Sequence, residues 1–277
     1  MICSICPRAC DLKDGQTGFC MARANVNGSV TSINYGQITS MALDPIEKKP
    51  LRRFLPGSFV LSVGSLGCNL HCPYCQNHSI SMAIPPKEQI THILPEELAG
   101  YAASLTSQGN IGLAFTYNEP LIGYEFVLDT SAAVRNKGLK NVLVTNGMIC
   151  DKPLQSLLPW IDAMNIDLKG FTKEFYDWIF GDGQMGLDTV KHTIAKAAVS
   201  CHVEVTTLII PRKNDSEEEM RRLALWLAEI DRRIPLHISR YHPDFKYYDS
   251  PPPLISKIDR LAAVAGEYLD HVYKGNC

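Results

Sequence analysis

The sequence predicts an α/β fold: a partial (β/α)6 TIM-type barrel with a small N-terminal Cys-rich metal-binding unit. Three observations predict it. From residue 59 onward short apolar segments alternate with longer amphipathic ones, unusual polar residues follow the apolar segments, and four of the ten cysteines lie within the first 20 residues. Alternation of near-continuous apolar strands with helices is typical of a parallel sheet covered by helices. A doubly wound open sheet is the alternative.

The composition narrows the classes of function. A chain of 277 residues is long enough for one large α/β domain with a small appendage. Its net charge of −2 leaves no excess of basic residues, so we expect no nucleic acid partner. We expect no membrane association either, because no apolar run reaches roughly 18 residues and Cys3, Cys6 and Arg8 stand where a signal peptide would be apolar. Ten cysteines without an export signal indicate metal ligation in a reducing, cytoplasmic setting.

Residues 1–28 form the first predicted unit, which contains little apolar sequence to build a core. It holds Cys3, Cys6, Cys10 and Cys20. Four thiolates are a complete ligand set for a structural metal, and metal binding can replace a hydrophobic core. Zinc and an auxiliary iron–sulfur cluster both suit four cysteines, and four unrelated thiols are the alternative.

Residues 29–58 are predicted to connect this unit to the barrel domain at 59–277. A strand is predicted at 30–35, and the prolines at positions 45, 50 and 56 restrict the remainder to extended or turn conformations. We expect this segment to wrap across the barrel as an ordered strap. A charged linker is the alternative.

The barrel domain divides into alternating strands and helices. Strands are predicted at 59–64, 111–116, 140–144, 161–167, 201–210, 235–240 and 270–273. Helices are predicted at 94–107, 121–136, 172–180, 187–199, 216–231 and 253–268. The helix at 216–231 has the clearest signals, because Asp215 or Ser216 can cap its start, glutamates occupy its first turn, and apolar residues recur on one face.

Polar residues follow the predicted strands. Active sites of such barrels lie at the carboxyl ends of the strands. In chain order the polar groups are Cys68, Cys72 and Cys75, then residues 116–120, 145–147, 165–170, 211–215 and 239–243. Each group alone is compatible with a turn or a helix cap. Six groups in phase with six strands predict one site at the mouth of the barrel.

The cysteine segment after the first barrel strand predicts the chemistry. Cys68, Cys72 and Cys75 have the spacing C-x3-C-x2-C. A cluster of four irons takes four thiolates, so three cysteines leave one iron free to bind a small molecule, just as a catalytic zinc site keeps an open position. A structural zinc with His71 or His78 as its fourth ligand is the alternative.

This spacing, with the aromatic Tyr74 before the last cysteine, resembles the signature of the radical SAM superfamily. Within it the chain looks like the pyruvate formate-lyase activating enzymes, and more closely like the AmmeMemoRadiSam branch. Besides the cysteine-rich N-terminus, the resemblance is carried by DPIEKKPL at 44–51, CQN at 75–77, YNEP at 117–120, DLK at 167–169 and YKGN at 273–276. It covers essentially the whole chain.

The resemblance implies a [4Fe-4S] cluster on Cys68, Cys72 and Cys75 whose open iron chelates the amino and carboxylate groups of S-adenosylmethionine (SAM). An electron then cleaves the sulfonium to a 5′-deoxyadenosyl radical, which abstracts hydrogen from a substrate. The resemblance also implies an anaerobic setting, an electron donor such as flavodoxin or ferredoxin, and a substrate that is either a glycyl radical enzyme partner or a small molecule. A non-catalytic iron–sulfur electron carrier or scaffold is the hypothesis from another class.

The resemblance also implies roles for the surrounding polar residues. Glu119 would hold the amino group of SAM, although Asn118 stands here where many family members have Gly-Gly before the glutamate. Asn146 would contact the ribose or carboxylate, while Asp167 and Lys169 would lie near the methionine moiety, with Lys169 pairing with its carboxylate. The other implied cofactor-binding residues are Tyr74, Thr206 with residues 208–210 at the adenine, and His242 near the ribose.

Overall fold

One large sheet organises the computed structural model, which describes residues 1–277. The strands, in chain order, are β1 (Arg23–Val26), β2 (Ser29–Ser32), β3 (Gln37–Ile38), β4 (Ser40–Pro45), β5 (Phe59–Gly64), β6 (Thr91–His92), β7 (Asn110–Phe115), β8 (Lys140–Thr145), β9 (Ala163–Asp167), β10 (His202–Ile209), β11 (Leu236–Arg240) and β12 (Val272–Gly275). Eight of them form the sheet in the spatial order β12-β11-β10-β9-β8-β7-β5-β4. All neighbours are parallel except β4, which is antiparallel to β5. The sheet stays open between β4 and β12, so the predicted partial barrel is confirmed.

Helices connect the parallel strands and cover the outer face of the sheet. They are α1 (His78–Ser81), α2 (Pro95–Ser104), α3 (Tyr124–Asn136), α4 (Asp151–Leu157), α5 (Lys173–Ile179), α6 (Gly183–Ala198), α7 (Glu217–Asp231) and α8 (Ile255–Gly266). The main core lies between them and outward-facing strand residues such as Leu113 and Leu143. None of the helices is long and apolar enough to cross a membrane.

Helix boundaries follow the capping residues. As predicted, Ser216 caps α7, and its hydroxyl accepts a hydrogen bond from Glu219 N at 3.1 Å. Helix α6 begins four residues before its predicted start because Asp182 caps it through Met185 N at 3.0 Å. Helix α3 begins after its predicted start because a 3-10 turn, Pro120–Gly123, precedes it. The elements that were not predicted are helices α1 and α4 and strands β1, β3, β4 and β6.

The strap at 29–58 enters the barrel interior. An inner cluster is formed by Val60, Ala114, Val142 and Ala163 of four neighbouring strands together with Ile46 and Leu51 of the strap. The strand side chains in this cluster are small, so the barrel has room for the larger strap residues. Asn165 Nδ2 also donates a hydrogen bond to the carbonyl of Pro50 at 2.8 Å. The strap therefore fills the space beneath the polar strand ends.

The N-terminal unit is tied to the barrel by polar contacts. Strands β1 and β2 form a hairpin whose turn, at Asn27 and Gly28, has positive φ at both residues; the predicted boundary at residue 28 falls in this turn. Arg23 donates two hydrogen bonds of 2.7 Å to the carboxylate of Glu125 on α3. Because the Arg23 side chain is almost fully buried, this bidentate pair fixes the orientation of the hairpin.

Candidate active site

A cavity of about 370 Å³ opens at the carboxyl ends of the parallel strands. Of the residues predicted for the site, it is lined by Cys68, Cys72, Tyr74, Cys75, Glu119, Asn146, Asp167, Lys169 and Thr206. These residues lie on β9 and β10 or in the loops after β5, β7, β8 and β9. Parallel strands that end at one edge bring such residues together. Side chains far apart in sequence thus converge on one space.

The three cysteines lie in the loop between β5 and α1. The Cys68 thiol accepts a hydrogen bond from the backbone N–H of Leu70 at 3.3 Å and one from Asn146 Nδ2 at 3.7 Å. Burial raises the pKa of all three thiols, that of Cys72 to about 11. Cysteine binds metal as the thiolate, and burial disfavours that charged form. A bound metal therefore has to stabilise the three thiolates in place of water.

The two histidines considered as zinc ligands do not join the cysteines. His71 stacks on Phe19 with ring centroids 3.9 Å apart, and His78 stacks on Phe245 with centroids 4.4 Å apart. Neither histidine is among the residues that line the cavity. The three thiols that line the cavity suit an iron–sulfur cluster, because the cysteines of such a cluster bind separate irons.

Glu119 joins two of the loops at the cavity. Its buried carboxylate accepts hydrogen bonds from Leu121 N at 2.9 Å, Thr145 Oγ1 at 2.7 Å and Asn146 N at 2.8 Å. Burial raises the pKa of Glu119 to about 7, against the opposing effect of these donors. Glu119 therefore links the loop after β7 to the loop after β8 and holds Asn146 next to Cys68.

An ion pair lies at the end of β9. Lys169 Nζ is 2.7 Å from Asp167 Oδ2, and both side chains line the cavity. Burial acts to lower the pKa of Lys169, but the charges of Asp167 and Cys72 outweigh it and raise the pKa, so the ammonium stays charged. On β10, Thr206 Oγ1 donates to Asn165 Oδ1 at 3.0 Å. The cavity thus offers a cation and an anion side by side.

Tyr74 and His242 differ in their relation to the cavity. Tyr74 is buried beside Trp178, with ring centroids 5.5 Å apart, and its hydroxyl lies next to the Cys72 thiol. The Tyr74 hydroxyl is therefore placed to donate a hydrogen bond to a Cys72 thiolate. His242 is exposed and lies outside the cavity lining, to which β11 contributes Ser239. The contact of His242 with the ribose stays a prediction.

The strap also contributes residues to the cavity rim that were not predicted to belong to the site. The only sequence signal for them was the motif at 44–51. Lys48 and Lys49 line the cavity, and their Nζ atoms lie 3.3 and 2.9 Å from the carboxylate of Asp44. The hydroxyl of Tyr117 donates to the same carboxylate at 2.8 Å. Burial opposes ionisation of Asp44, but Lys49 and Tyr117 lower its pKa to about 2. One carboxylate shared by two ammonium groups leaves the rim with excess positive charge.

A second pocket lies between the N-terminal unit and the barrel. Its lining includes Cys3, Cys6, Cys10 and Cys20. Arg8, Arg23 and Asn69 also line it. Burial raises the pKa of Cys6 to about 12, with the side chain of Asn69 among the opposing groups, and also raises the pKa of Cys20. Four thiols around one pocket fit a soft metal centre, and zinc and iron–sulfur both remain compatible with them.

The fold and the site define a class of protein: a partial-barrel metalloenzyme with an incomplete thiolate set at the barrel mouth. Comparison with known proteins gives its family. Residues 62–226 match the Radical SAM superfamily. The chain is also 40% identical over 277 residues to the uncharacterised protein MJ0808 of Methanocaldococcus jannaschii, a match that covers 99% of this chain and 80% of that protein. The chain belongs to the radical SAM superfamily, and this family implies a [4Fe-4S] cluster and SAM.

More distant relatives confirm the predicted likeness to the pyruvate formate-lyase activating enzymes. The chain is 26% identical over 176 residues to the pyruvate formate-lyase-activating enzyme of Clostridium pasteurianum, across 64% of this chain and 72% of that protein. Among solved structures, a radical SAM methyltransferase from Sphaerobacter thermophilus matches with a TM-score of 0.61 at 12% identity, across 80% of this chain and 67% of that one. The structural match shows a shared fold.

Proposed function

We propose that the protein cleaves SAM reductively and uses the resulting 5′-deoxyadenosyl radical to remove a hydrogen atom from a substrate. The observation that carries this proposal is the convergence of Cys68, Cys72 and Cys75 with Glu119 and Lys169 on one cavity. The cluster and SAM would supply the radical chemistry, and the protein would supply binding, orientation and exclusion of water.

The residues around the cysteines have suitable groups to bind SAM. Lys169, kept charged by Asp167, is placed to pair with a carboxylate. Glu119 Oε2 accepts only the N–H of Asn146, so it retains acceptor capacity for an ammonium group. These groups match the carboxylate and amino ends of an amino acid, which SAM carries.

The relatives favour a protein as substrate. Besides the Clostridium enzyme, the chain is 24% identical over 220 residues to a putative glycyl-radical enzyme activating enzyme of Methanocaldococcus jannaschii. We therefore propose a glycyl radical enzyme as partner and a small one-electron carrier protein, such as flavodoxin or ferredoxin, as reductant. A small-molecule substrate is the second candidate, because the cavity of about 370 Å³ falls in the range of ligand pockets.

Anaerobic reconstitution with iron and sulfide, followed by dithionite and SAM, tests the proposal. We expect formation of 5′-deoxyadenosine and its loss in Cys72→Ala. A matched control is Cys201→Ala, which changes a half-buried cysteine outside both cysteine sites and should leave the yield unchanged. SAM that stays intact with the fully reconstituted protein would refute the proposal and favour an electron carrier.

A further inference from the structure

The pocket of the four N-terminal cysteines is closed by the barrel. Asn69 and Ile122 form part of its lining, so the N-terminal unit alone does not enclose it. Asn69 is the residue that directly follows Cys68, the first cysteine of the catalytic loop. Asn69 therefore lines the N-terminal pocket and is also part of the catalytic cysteine loop.

Asn69 is held by hydrogen bonds on the catalytic side. Its Nδ2 donates to the carbonyl of Met148 at 2.8 Å, and its Oδ1 accepts from Asn146 Nδ2 at 2.9 Å. Asn146 Nδ2 also lies 3.7 Å from Cys68 Sγ. Since Asn69 is buried, a shift of its side chain would also displace Asn146 and the environment of Cys68.

Residues that flank the N-terminal cysteines clamp the catalytic loop. Arg8, between Cys6 and Cys10, donates from Nε to the carbonyl of Asn69 at 2.8 Å. Its guanidinium lies 3.6 Å from the ring centroid of Phe19, and Phe19 stacks on His71. Arg8 lies two residues from Cys6 and from Cys10, and Phe19 is next to Cys20. Both residues that hold the catalytic loop are therefore close in sequence to an N-terminal cysteine.

The fourth N-terminal cysteine approaches the loop through its backbone. Gly67 has φ of +87°, and a Cβ at this position would clash with the carbonyl of Cys20. The catalytic loop, residues 67–71, therefore contacts Arg8, which lies between Cys6 and Cys10. It also packs directly against the backbone of Cys20. The N-terminal unit has little apolar core, so a metal on its cysteines would be the main source of its order.

We infer that Cys3, Cys6, Cys10 and Cys20 bind a soft, thiolate-held metal centre, either zinc or iron–sulfur, and that Asn69 couples this centre to the catalytic cysteine loop. The inference rests on the proposed function only for the cluster on that loop. Filling of the N-terminal site orders residues 67–71 and thereby sets how tightly the catalytic cluster is retained. Asn69 acts as a positioning residue, because it reaches the cluster through Cys68 and Asn146.

Four variants of the full chain, purified anaerobically and reconstituted with iron and sulfide, test the inference. They are Cys10→Ser/Cys20→Ser, Asn69→Ala, these three changes combined, and a triple alanine variant of Cys68, Cys72 and Cys75. Asn25→Ala is the matched control, because Asn25 is also a buried asparagine but bonds the carbonyl of Leu12 within the N-terminal unit. The readouts are zinc, iron and sulfide content and the EPR spectrum of the reduced catalytic cluster with and without SAM.

The triple alanine variant is expected to retain one metal centre, and its content of zinc or of iron with sulfide identifies that centre. If this variant does not fold, zinc or iron in excess of one cluster in the wild type gives the same answer. Cys10→Ser/Cys20→Ser should lose this centre and retain about tenfold less catalytic cluster, as changes in the outer shell of metal sites do. Asn69→Ala should show a similar loss, and the combined variant no further loss.

Three outcomes overturn the inference. The first is that no metal is found outside the catalytic cluster. The second is that Cys10→Ser/Cys20→Ser has the EPR spectrum and iron content of the wild type. The third is that the combined variant loses as much cluster as the separate effects of Cys10→Ser/Cys20→Ser and Asn69→Ala multiplied together. None of these readouts depends on SAM cleavage. A wild type that fails to form 5′-deoxyadenosine while its cluster still responds to the N-terminal cysteines refutes the proposed function and leaves the coupling intact.

Discussion

Glu204 Oε2 and His237 Nε2 lie 2.6 Å apart inside the barrel. Glu204 also contacts His202 Nε2 at 2.9 Å and accepts the backbone N–H groups of Arg52 and Arg53 at 3.0 and 2.7 Å. Burial alone would raise the pKa of Glu204, but these partners lower it to about 2. A buried carboxylate thus fastens the strap to β10 and β11.

Replacing this carboxylate should destabilise the fold in a way that depends on pH. Glu204→Gln is expected to lower the free energy of unfolding by about 3 kcal/mol at neutral pH, because the pKa falls from 4.5 to about 2 on folding. A depressed pKa gives a stabilisation that is complete above the unfolded pKa of about 4.5 and is lost as the pH falls toward 2. Urea denaturation of both proteins at a series of pH values measures the difference.

The control for this prediction is Glu229→Gln, which alters an exposed glutamate on α7. It should unfold like the wild type at every pH. The prediction fails if the difference between wild type and Glu204→Gln stays constant from neutral pH down to about pH 3.

The strap should contribute to stability through its apolar residues as well. Leu51 is fully buried in the inner cluster with Ile46 and Val142. Leu51→Ala is expected to cost about 2–5 kcal/mol, because a barrel wall held by strand hydrogen bonds cannot collapse into the void. Chemical denaturation measures this, with Leu254→Ala, at a side chain that is 73% exposed, as the control. Equal losses in the two variants would show that the strap does not pack as described.

Much of the barrel was predictable because its signals are local. The segment predicted as a strand at 140–144 is β8, Lys140–Thr145, since an uninterrupted apolar run between polar residues needs no tertiary information. The cysteine spacing from Cys68 to Cys75 is likewise readable from the chain. Because Glu119 and Lys169 each follow a predicted strand, the sequence also predicted that they line one cavity.

The unpredicted features depend on contacts between distant segments. In the sequence, Leu51 looks like any other apolar core residue. It packs inside the barrel because the side chains of four neighbouring strands there are small, and this is visible only in the structure. Helix α4 contains Pro153 and is too short to show a helical period. His242 follows β11 as expected, but it is exposed, and Ser239 within β11 lines the cavity instead. Asn69 is a single polar residue between cysteines, so its two-sided role is visible only in three dimensions.

Lys169 provides a test of the SAM-binding residues. Lys169→Gln is expected to raise the KM for SAM about ten- to a hundredfold, because a charge-assisted hydrogen bond is worth about 1.5–3 kcal/mol and Asp167 would be left to repel the carboxylate. Initial rates of 5′-deoxyadenosine formation at increasing SAM concentrations give the KM, and iron content should stay at the wild-type value. Lys173→Gln, an exposed lysine on α5, is the control. A wild-type KM in Lys169→Gln would remove this residue from the proposed site.

Gly67 should tolerate no side chain, and the chain contains a matched glycine that shows why. Gly67 and Gly57 have nearly the same φ, +87° and +81°, but a Cβ at Gly57 meets no atom within 4 Å whereas one at Gly67 would clash with the carbonyl of Cys20. Gly57→Ala should therefore cost about 1–2 kcal/mol from the left-handed backbone alone. Gly67→Ala should cost at least about 2 kcal/mol more, because the backbone of Cys20 or of the catalytic loop has to move.

The two variants separate backbone strain from the contact between the N-terminal unit and the catalytic loop. Thermal unfolding gives the stability difference, and iron analysis after reconstitution shows whether the catalytic loop still holds its cluster. Gly67→Ala should lose iron while Gly57→Ala retains it, since only Gly67 adjoins Cys68. If both variants lose the same stability and keep the same iron, the close approach of Cys20 to the loop has no consequence for the site.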